Sequence, residues 1–208
     1  MTFTTAHMSM SLDGFVAGPD QTIDDPIGRG GLDLHQWHFE SDEPMHPVDA
    51  RWTASLLRPR GAYVMGRNMF GPVRGPWSSY AAEDGGEWRG WWGEEPPYHA
   101  PVFVLTHHEH DPIEMEGGTT FHFVTDGFDS ALAQARTAGD GDVDIAGGAS
   151  AVRQALLSGE LDELSLDIIP VLLGSGERLF DPELRLALEQ VEVEPSPGAT
   201  HVRYRIPR

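Results

Sequence analysis

The 208-residue sequence contains no cysteine, no lysine and no long hydrophobic run. Without cysteine, the chain forms no disulfide bond and has no thiolate nucleophile. Without lysine, it has no Schiff-base mechanism, which excludes lysine-tethered pyridoxal phosphate enzymes, and no Walker phosphate loop. No apolar stretch approaches the roughly 18 residues that a transmembrane helix needs. These absences exclude several large classes of protein before any motif is considered.

Charge of one sign dominates, since 33 acidic residues stand against 14 basic ones and the formal net charge is −19. An acidic surface repels phosphate backbones, so we expect no nucleic-acid partner. Every basic residue is arginine, and an anionic ligand must therefore be held by guanidinium and backbone N–H groups. The N-terminal segment lacks the basic and apolar regions of a signal peptide. Together with the absence of cysteine, this favours a cytoplasmic protein without a membrane partner.

Strand-like and helix-like segments alternate along the chain. Apolar, β-branched or alternating residues predict strands at 3–10, 61–65, 101–106, 121–125, 143–146 and 164–168. Helices are predicted at 49–57, capped by Asp49, and at 128–138 and 149–158. Alternating residues on either side of PSPGA predict a C-terminal antiparallel hairpin. We expect one α/β domain over residues 1–208, with a mainly parallel central sheet flanked by helices.

Residues 71–100 form an unusual segment with four prolines and no regular period. It contains Trp77, Trp88, Trp91 and Trp92. Long loops within domains are usually functional or disordered, and this aromatic content favours function. The indoles, Trp77 first among them, either stack on a flat heterocyclic substrate or pack the loop onto the sheet.

A glycine pair, Gly147-Gly148, stands between a predicted strand and a predicted helix. At the carboxyl end of a parallel strand, a starting helix directs unpaired N–H groups outward. Glycine lets a phosphate approach the backbone closely, so Gly147, Gly148, Ala149 and Ser150 form a candidate phosphate cradle. The alternative is a tight turn that binds nothing.

Two further strand ends carry groups that suit an anion. Gly66, Arg67 and Asn68 follow one buried strand, and Thr106 and His107 follow another. Three such ends at one edge of the sheet predict a dinucleotide with an extra phosphate as ligand. The alternative for Arg67 is a surface salt bridge.

Other polar residues admit two interpretations each. Asp13 is either a general acid for the substrate or a turn residue. His7 is either a core histidine or a pocket group, and the first is preferred. The histidines of segment 106–111 either bind a metal ion or lie exposed on a loop, and again the simpler interpretation is preferred.

Five segments give the chain a family resemblance. They are SLDGFVAG (11–18), VMGRNMFG (64–71), PVFVLT (101–106), DIAGGASAVRQAL (144–156) and LDELSLDIIPVLLGSGERLF (161–180). In this order they resemble the dihydrofolate reductase-like superfamily, and within it the riboflavin-biosynthesis reductase branch. The resemblance implies a mainly parallel sheet, an NADPH-dependent reductase and a homodimer.

The resemblance also implies residue roles. Gly147 and Gly148 would meet the cofactor pyrophosphate, Gly66 and Arg67 its phosphates, and Thr106 and His107 the adenosine 2′-phosphate. The nicotinamide and substrate region would take in the first loop and the loop after the strand at 164–168, with residues Asp13, Phe15, Val16, Ala17, Leu173, Gly174 and Gly176.

Two departures bear on the substrate. Dihydrofolate reductases carry an acid on the first helix for pterin binding, and here Asp49 is the acid nearest that place. Riboflavin-pathway members commonly have glutamate before the glycine turn, where this chain has Ile145. The implied substrate is therefore a small heterocycle, either aminouracil-like, pterin-like or other. A second hypothesis is a module that binds a nucleotide or another planar ligand without turnover.

Overall fold

The structure is a computed structural model that describes residues 2–39, 44–72, 74–79 and 86–207. A nine-stranded sheet dominates this part of the chain. Its strands are β1 (Thr4–Ser11), β3 (Ala62–Gly66), β4 (Pro101–Leu105), β5 (Ile113–Glu114), β6 (Thr120–Val124), β7 (Val143–Gly147), β8 (Glu163–Ile169), β10 (Glu189–Pro195) and β11 (Thr200–Arg205). A separate short ladder pairs β2 (Phe15–Ala17) with β9 (Glu177–Arg178). The helices are α1 (Pro47–Leu56), α2 (Arg67–Phe70), α3 (Phe128–Ala138) and α4 (Ala149–Ser158).

The strand order is β10-β11-β8-β1-β7-β3-β4-β6-β5. Strands β8, β1, β7, β3, β4 and β6 run parallel, and antiparallel pairs close both edges. The C-terminal hairpin pairs Val193 with Val202. The predicted α/β class, the mainly parallel sheet and the hairpin are therefore confirmed. Among the described residues, no helix is both long and apolar enough to span a membrane.

One face of the sheet is apolar and is covered by α3 and α4. Alternate residues of the strands point to it, as Ala6, Met8 and Met10 do from β1. They pack against apolar side chains of both helices, such as Leu132 and Val152. Burial of this continuous surface supplies the main favourable free energy of the fold.

The opposite face is polar at its centre, because β1 alternates polar and apolar residues. Thr5, His7, Ser9 and Ser11 all point away from α3 and α4, and all are buried. Helix α1 and a 3₁₀ helix, Gly31–His38, cover this face beside β8 and β11. The predicted helix cap at Asp49 is wrong, because α1 begins at Pro47. Its N-cap is His46, whose Nδ1 accepts from the Val48 N–H at 3.3 Å.

The tryptophan-rich segment covers the same face over β3, β4 and β6. Trp77, Trp88 and Trp92 pack against a buried cluster that includes Phe70 and Phe121. Trp88 Nε1 also donates to the Phe70 carbonyl at 2.9 Å. These contacts favour packing onto the sheet over stacking on a substrate. Positions 73 and 80–85 of the predicted 71–100 loop lie outside the described residues.

Candidate functional site

The carboxyl ends of the parallel strands form one row, in the order β8, β1, β7, β3, β4 and β6. Neighbouring strands lie about 4.8 Å apart, so this row is roughly 24 Å long. Residues predicted to contact nicotinamide and substrate follow β1 and β8, at one end. Residues predicted to hold phosphates follow β7, β3 and β4. The structure thus brings the predicted residues to a single edge of the sheet.

Three glycines form a cradle where β3 and β7 end. A Cβ placed on Gly66 would lie 3.5 Å from the backbone nitrogen of Gly148, so the two strand ends meet backbone to backbone. A Cβ on Gly148 would have no described heavy atom within 4 Å, so this position faces open space. Helix α4 starts next, at Ala149, and its first N–H groups lack intrahelical acceptors. We call Gly66, Gly147 and Gly148 the glycine cradle; it fits a pyrophosphate.

Gly147 and Gly148 differ in whether their surroundings leave room for a side chain. Gly147 is buried, has a φ of 124° and would bring a Cβ within 3.3 Å of Met69 Sδ, so the fold itself requires glycine there. Gly148 has a φ of −73° and no such neighbour. Ser150, in the first turn of α4, is exposed. Gly148 and Ser150 are therefore the accessible members of the predicted cradle.

Arg67 follows β3 and lies beside the cradle. Its guanidinium carbon stacks 4.0 Å above the centre of the Trp77 ring. Trp77 Nε1 in turn donates to the carbonyl of His108 at 2.8 Å. Trp77 was predicted to contact substrate, but it packs at the β3–β6 end of the row and supports Arg67. Contact of Arg67 with a cofactor phosphate stays a prediction.

The loop after β4 supplies the next predicted residues. Thr106 is buried, and its hydroxyl accepts from the His108 N–H at 3.1 Å, which fixes the turn. His107 is exposed, and Asn68 on α2 is half-buried. A depression of about 520 Å³ lies here. Its lining is Glu109, His110, Asp111, Phe123 and Thr125. Two of these residues are acidic, which disfavours an anion in the depression itself.

The histidine side chains of segment 106–111 do not converge on a common point. His107 is exposed, and His110 Nε2 lies 3.0 Å from Glu87. Over the described ranges, no group of three or more His, Asp or Glu side chains is arranged to hold a metal ion.

Asp13 braces two loops. Its carboxylate accepts hydrogen bonds from Ser11 Oγ at 2.6 Å, from Leu173 N–H at 3.1 Å and from Gly174 N–H at 2.7 Å. The Ser11 hydrogen bond, more than the two backbone donors, holds the pKa of Asp13 below its ordinary value. An ionised carboxylate with three donors is a poor proton donor. The contacts therefore argue against the predicted general acid and favour the turn role.

The same loops contain the remaining predicted residues. Phe15 is buried beneath the guanidinium of Arg178, which lies 4.4 Å from the ring centre. Val16 packs into the main core, and a Cβ on Gly176 would overlap the carbonyl oxygen of Ala17. Segments 13–17 and 173–178 thus form one layer over the ends of β1 and β8. Contact of this layer with nicotinamide and substrate stays a prediction.

A buried charge network on the α1 face was not found from the sequence. His201 Nδ1 lies 2.7 Å from Asp167 Oδ1, and His201 Nε2 lies 2.8 Å from Asp49 Oδ1. His7 Nε2 lies 2.9 Å from Asp167 Oδ2. Burial alone would lower the pKa of His201, but both carboxylates raise it above its ordinary value. Burial would raise the pKa of Asp167, yet His7 and His201 lower it.

The network concerns two residues that the sequence singled out. His7 is 8% exposed and lies against Trp37 and Trp52, with its Nε2 2.9 Å from Asp167, which favours the interpretation as a buried histidine. Asp49, the acid of the first helix, is 6% exposed and bound to His201. A carboxylate already satisfied by a buried imidazole is not free to bind a pterin.

Two histidines of the 3₁₀ helix lie near this network. His35 Nδ1 is 3.2 Å from His38 Nε2. Burial, followed by the neighbouring His38, lowers the pKa of His35 to about 4. Burial also lowers the pKa of His38. Both rings are therefore neutral near pH 7, and one donates to the other.

Solved structures with the same fold cover the whole chain. A protein of Shewanella sp. PV-4 described as a riboflavin biosynthesis protein has 22% identity and a TM-score of 0.66, with 100% of both chains covered. Enterococcus faecalis dihydrofolate reductase, complexed with NADP(H), has 14% identity and a TM-score of 0.54, covering 98% of this chain and 96% of that one. A Thermotoga maritima deaminase/reductase has 13% identity and a TM-score of 0.58. This chain spans 56% of it, and 99% of this chain is covered.

Among the curated proteins, none matches this chain. The model of the RibD C-terminal domain family matches residues 2–202, nearly the full length. The family match and the shared fold confirm the resemblance drawn from the five sequence segments. The chain belongs to the RibD C-terminal domain family.

Proposed function

We propose that this protein is an NADPH-dependent reductase that transfers hydride to a small heterocyclic substrate. The observation that carries the proposal is the glycine cradle, where open backbone at the ends of β3 and β7 meets the start of α4 and lies beside Arg67. Family membership and the NADP(H)-bound dihydrofolate reductase of the same fold support it.

The residues present fit such a cofactor. Gly148 and the first N–H groups of α4 would hold the pyrophosphate, because a Cβ-free, open position is found there. Arg67, held by Trp77, would take the extra phosphate, with Thr106 and His107 forming the adjoining turn. When bound, NADPH supplies the hydride.

The chain's own contribution would be orientation and exclusion of water. Asp13 ties segment 13–17 to segment 173–178, so both loops close over the ends of β1 and β8 as one unit. A fixed cover of this kind keeps the reacting atoms dry and aligned. Phe15, Leu173, Gly174 and Gly176 belong to this cover, as Val16 and Ala17 do.

The environment of Asp49 limits the classes of substrate that we propose. Because its carboxylate binds His201, Asp49 is not free to bind a pterin. This favours an aminouracil-like or other heterocycle over a pterin-like one. Asp13 is held in its ionised form by three hydrogen-bond donors, so no described residue is assigned as proton donor. This observation favours the alternative, a non-catalytic module that binds a nucleotide or another planar ligand.

Assembly and location are also proposals. We infer a cytoplasmic homodimer that associates through the C-terminal hairpin, where Val191 and Val193 of edge strand β10 are 46% and 44% exposed. Light scattering of Val191→Arg and Val193→Arg variants against wild type tests it, and an unchanged dimer mass would reject this surface.

The function is tested in two steps. Titration with NADPH, followed by cofactor fluorescence, measures binding; oxidation of NADPH at 340 nm with aminouracils, pteridines and flavins measures turnover. Binding with turnover supports the reductase. Binding alone favours the non-catalytic module, and no binding of NADPH rejects the reductase.

A further inference from the structure

A second cavity lies far from the glycine cradle. It has a volume of about 270 Å³ and opens on the α1 face near the amino ends of β1, β7 and β8. Thr5 and His7 form part of its lining, while Asp13 follows the other end of β1. At about 3.3 Å per step, the six steps along β1 from Thr5 to Ser11 span roughly 20 Å. The cavity therefore belongs to neither the cofactor nor the loop layer.

Its lining carries equal numbers of opposite charges. The guanidiniums are those of Arg58, Arg60 and Arg203, and the carboxylates are those of Asp142, Asp144 and Glu163. Two pairs face each other across β1, with Arg60 Nε 3.6 Å from Asp144 Oδ1 and Arg203 Nε 3.4 Å from Glu163 Oε1. Because β7 and β8 flank β1, these pairs lie roughly 10 Å apart.

Arg60 is the least satisfied of these groups. Its side chain is 4% exposed, and its Nε has no hydrogen-bond acceptor among the described residues. Another nitrogen of the Arg60 guanidinium, Nη1, donates to the Arg58 carbonyl at 3.0 Å. Burial lowers the pKa of Arg60 and raises the pKa of its partner Asp144. Arg60 lines the cavity and is paired with Asp144 only at 3.6 Å, so its guanidinium keeps hydrogen-bonding capacity for a ligand oxygen.

The space between a helix and a sheet is normally filled with apolar side chains at close packing. Here Thr5, His7, Ser55 and Ser165 replace them, so the cavity suits polar contents. A ligand with charge of one sign would meet three like charges in the wall. A molecule with both signs would meet complementary groups on either side of β1.

We propose that this cavity binds a small zwitterion, a free α-amino acid, with its carboxylate on Arg60 and its ammonium group toward the wall carboxylates. The volume lies just below the roughly 300 Å³ at which pockets for drug-sized ligands begin, which limits the ligand to a compact molecule. The proposal does not depend on the reductase function, because the cavity and the cradle share no residue.

The first test screens the full chain against the common L-amino acids by thermal unfolding and then by calorimetry. Succinate and putrescine, which carry charge of one sign, serve as matched probes. We expect at least one amino acid to raise Tm in a concentration-dependent way, by about threefold more than either probe. Equal shifts for the zwitterions and the single-sign probes, or no shift at all, would overturn the proposal.

Two variants locate the site. Arg60→Gln removes the unpaired donor and should weaken the amino acid at least about tenfold. Ser55→Phe fills the cavity from α1, keeps every wall charge and should abolish binding. Arg185→Gln, an exposed arginine remote from the cavity, is the control and should change nothing. Circular dichroism and the unfolding temperature, measured in parallel, report folding. Amino-acid affinity unchanged in Ser55→Phe would contradict this location, and the wild-type screen decides the proposal if a variant does not fold.

Discussion

The buried network around His201 gives the sharpest prediction on stability. His201 is 0% exposed and lies between Asp167, which is 1% exposed, and Asp49, which is 6% exposed. His201→Leu removes the imidazole and leaves two buried carboxylates facing an apolar side chain. Breaking a buried pair in this way costs about 3–5 kcal/mol, because the remaining charge loses its partner without regaining water.

The loss should be visible as a lower melting temperature. At about 2–4 °C per kcal/mol for a chain of this size, we expect Tm to fall by roughly 6–20 °C. Arg205→Leu is the control, because Arg205 and Glu189 form an ion pair that is 58% and 59% exposed. Such a pair contributes about 0–1 kcal/mol.

A double-mutant cycle separates the charge effect from lost packing. Asp49→Asn neutralises one carboxylate, so in that background His201→Leu should cost less than in wild type. We expect the two substitutions to be non-additive by about 0.5–3 kcal/mol in urea unfolding. Additive losses, or a His201→Leu loss no larger than that of Arg205→Leu, would refute the assignment of a buried ion network.

The pH dependence follows from the direction of the pKa shifts. The pKa of His201 is raised above 6.5, so its contribution is full below that pH and is lost as pH rises through the folded-state pKa. The pKa of Asp167 is lowered below 3.8, so its contribution is full above that pH and is lost as pH falls through the folded-state pKa. The free-energy difference between wild type and His201→Leu should therefore be largest between these values and shrink as pH rises through the raised pKa of His201.

Three further predictions concern the site, and a fourth concerns the 3₁₀ helix. Arg67→Ala should weaken NADPH by about 10-fold or more and NADH far less, with Arg185→Ala as control; equal losses in fluorescence titrations would show that Arg67 does not bind the extra phosphate. Gly148→Ala places a Cβ in the open space of the cradle, so cofactor affinity should fall while Tm is retained, and unchanged affinity would reject the cradle. Asp13→Asn loses one acceptor for the N–H groups of the opposite loop, so amide exchange there should accelerate, whereas unchanged protection would contradict the brace. His35 should titrate by NMR at about 4 rather than 6.5, so as pH falls below 6.5 its protonation destabilises the fold, and an ordinary titration would show that the ring is solvated.

Local pattern was enough to predict most elements. The boundaries of α3 at residues 128–138 and of α4 at 149–158 agree with the prediction, because each begins after glycine and repeats its apolar residues with helical spacing. The 3₁₀ helix Gly31–His38 was missed, since its residues show no amphipathic period and its first position is a glycine. Its conformation depends on packing against α1 and β1, which no local window contains.

The candidate site was predicted unevenly for a similar reason. Gly66, Arg67 and Gly148 follow buried strands directly, so parallel strand order alone brings them together. Trp77 was predicted either to stack on a substrate or to pack the loop, because its partner could not be known, and the fold places its ring against Arg67. One overlooked signal was the alternation of polar residues along β1, which indicates that the α1 face is polar.

The sequence by itself determined the strand and helix segments, the absence of thiol and lysine chemistry, and the glycines that make backbone accessible. These depend on neighbours a few positions apart or on composition. Only the tertiary structure decided that Asp49 meets His201, 152 positions away, and that the Asp13 carboxylate accepts from the Gly174 N–H. The reason is physical: the charge state of a buried group is set by the groups that surround it in space, and those come from strands and helices distant in the chain.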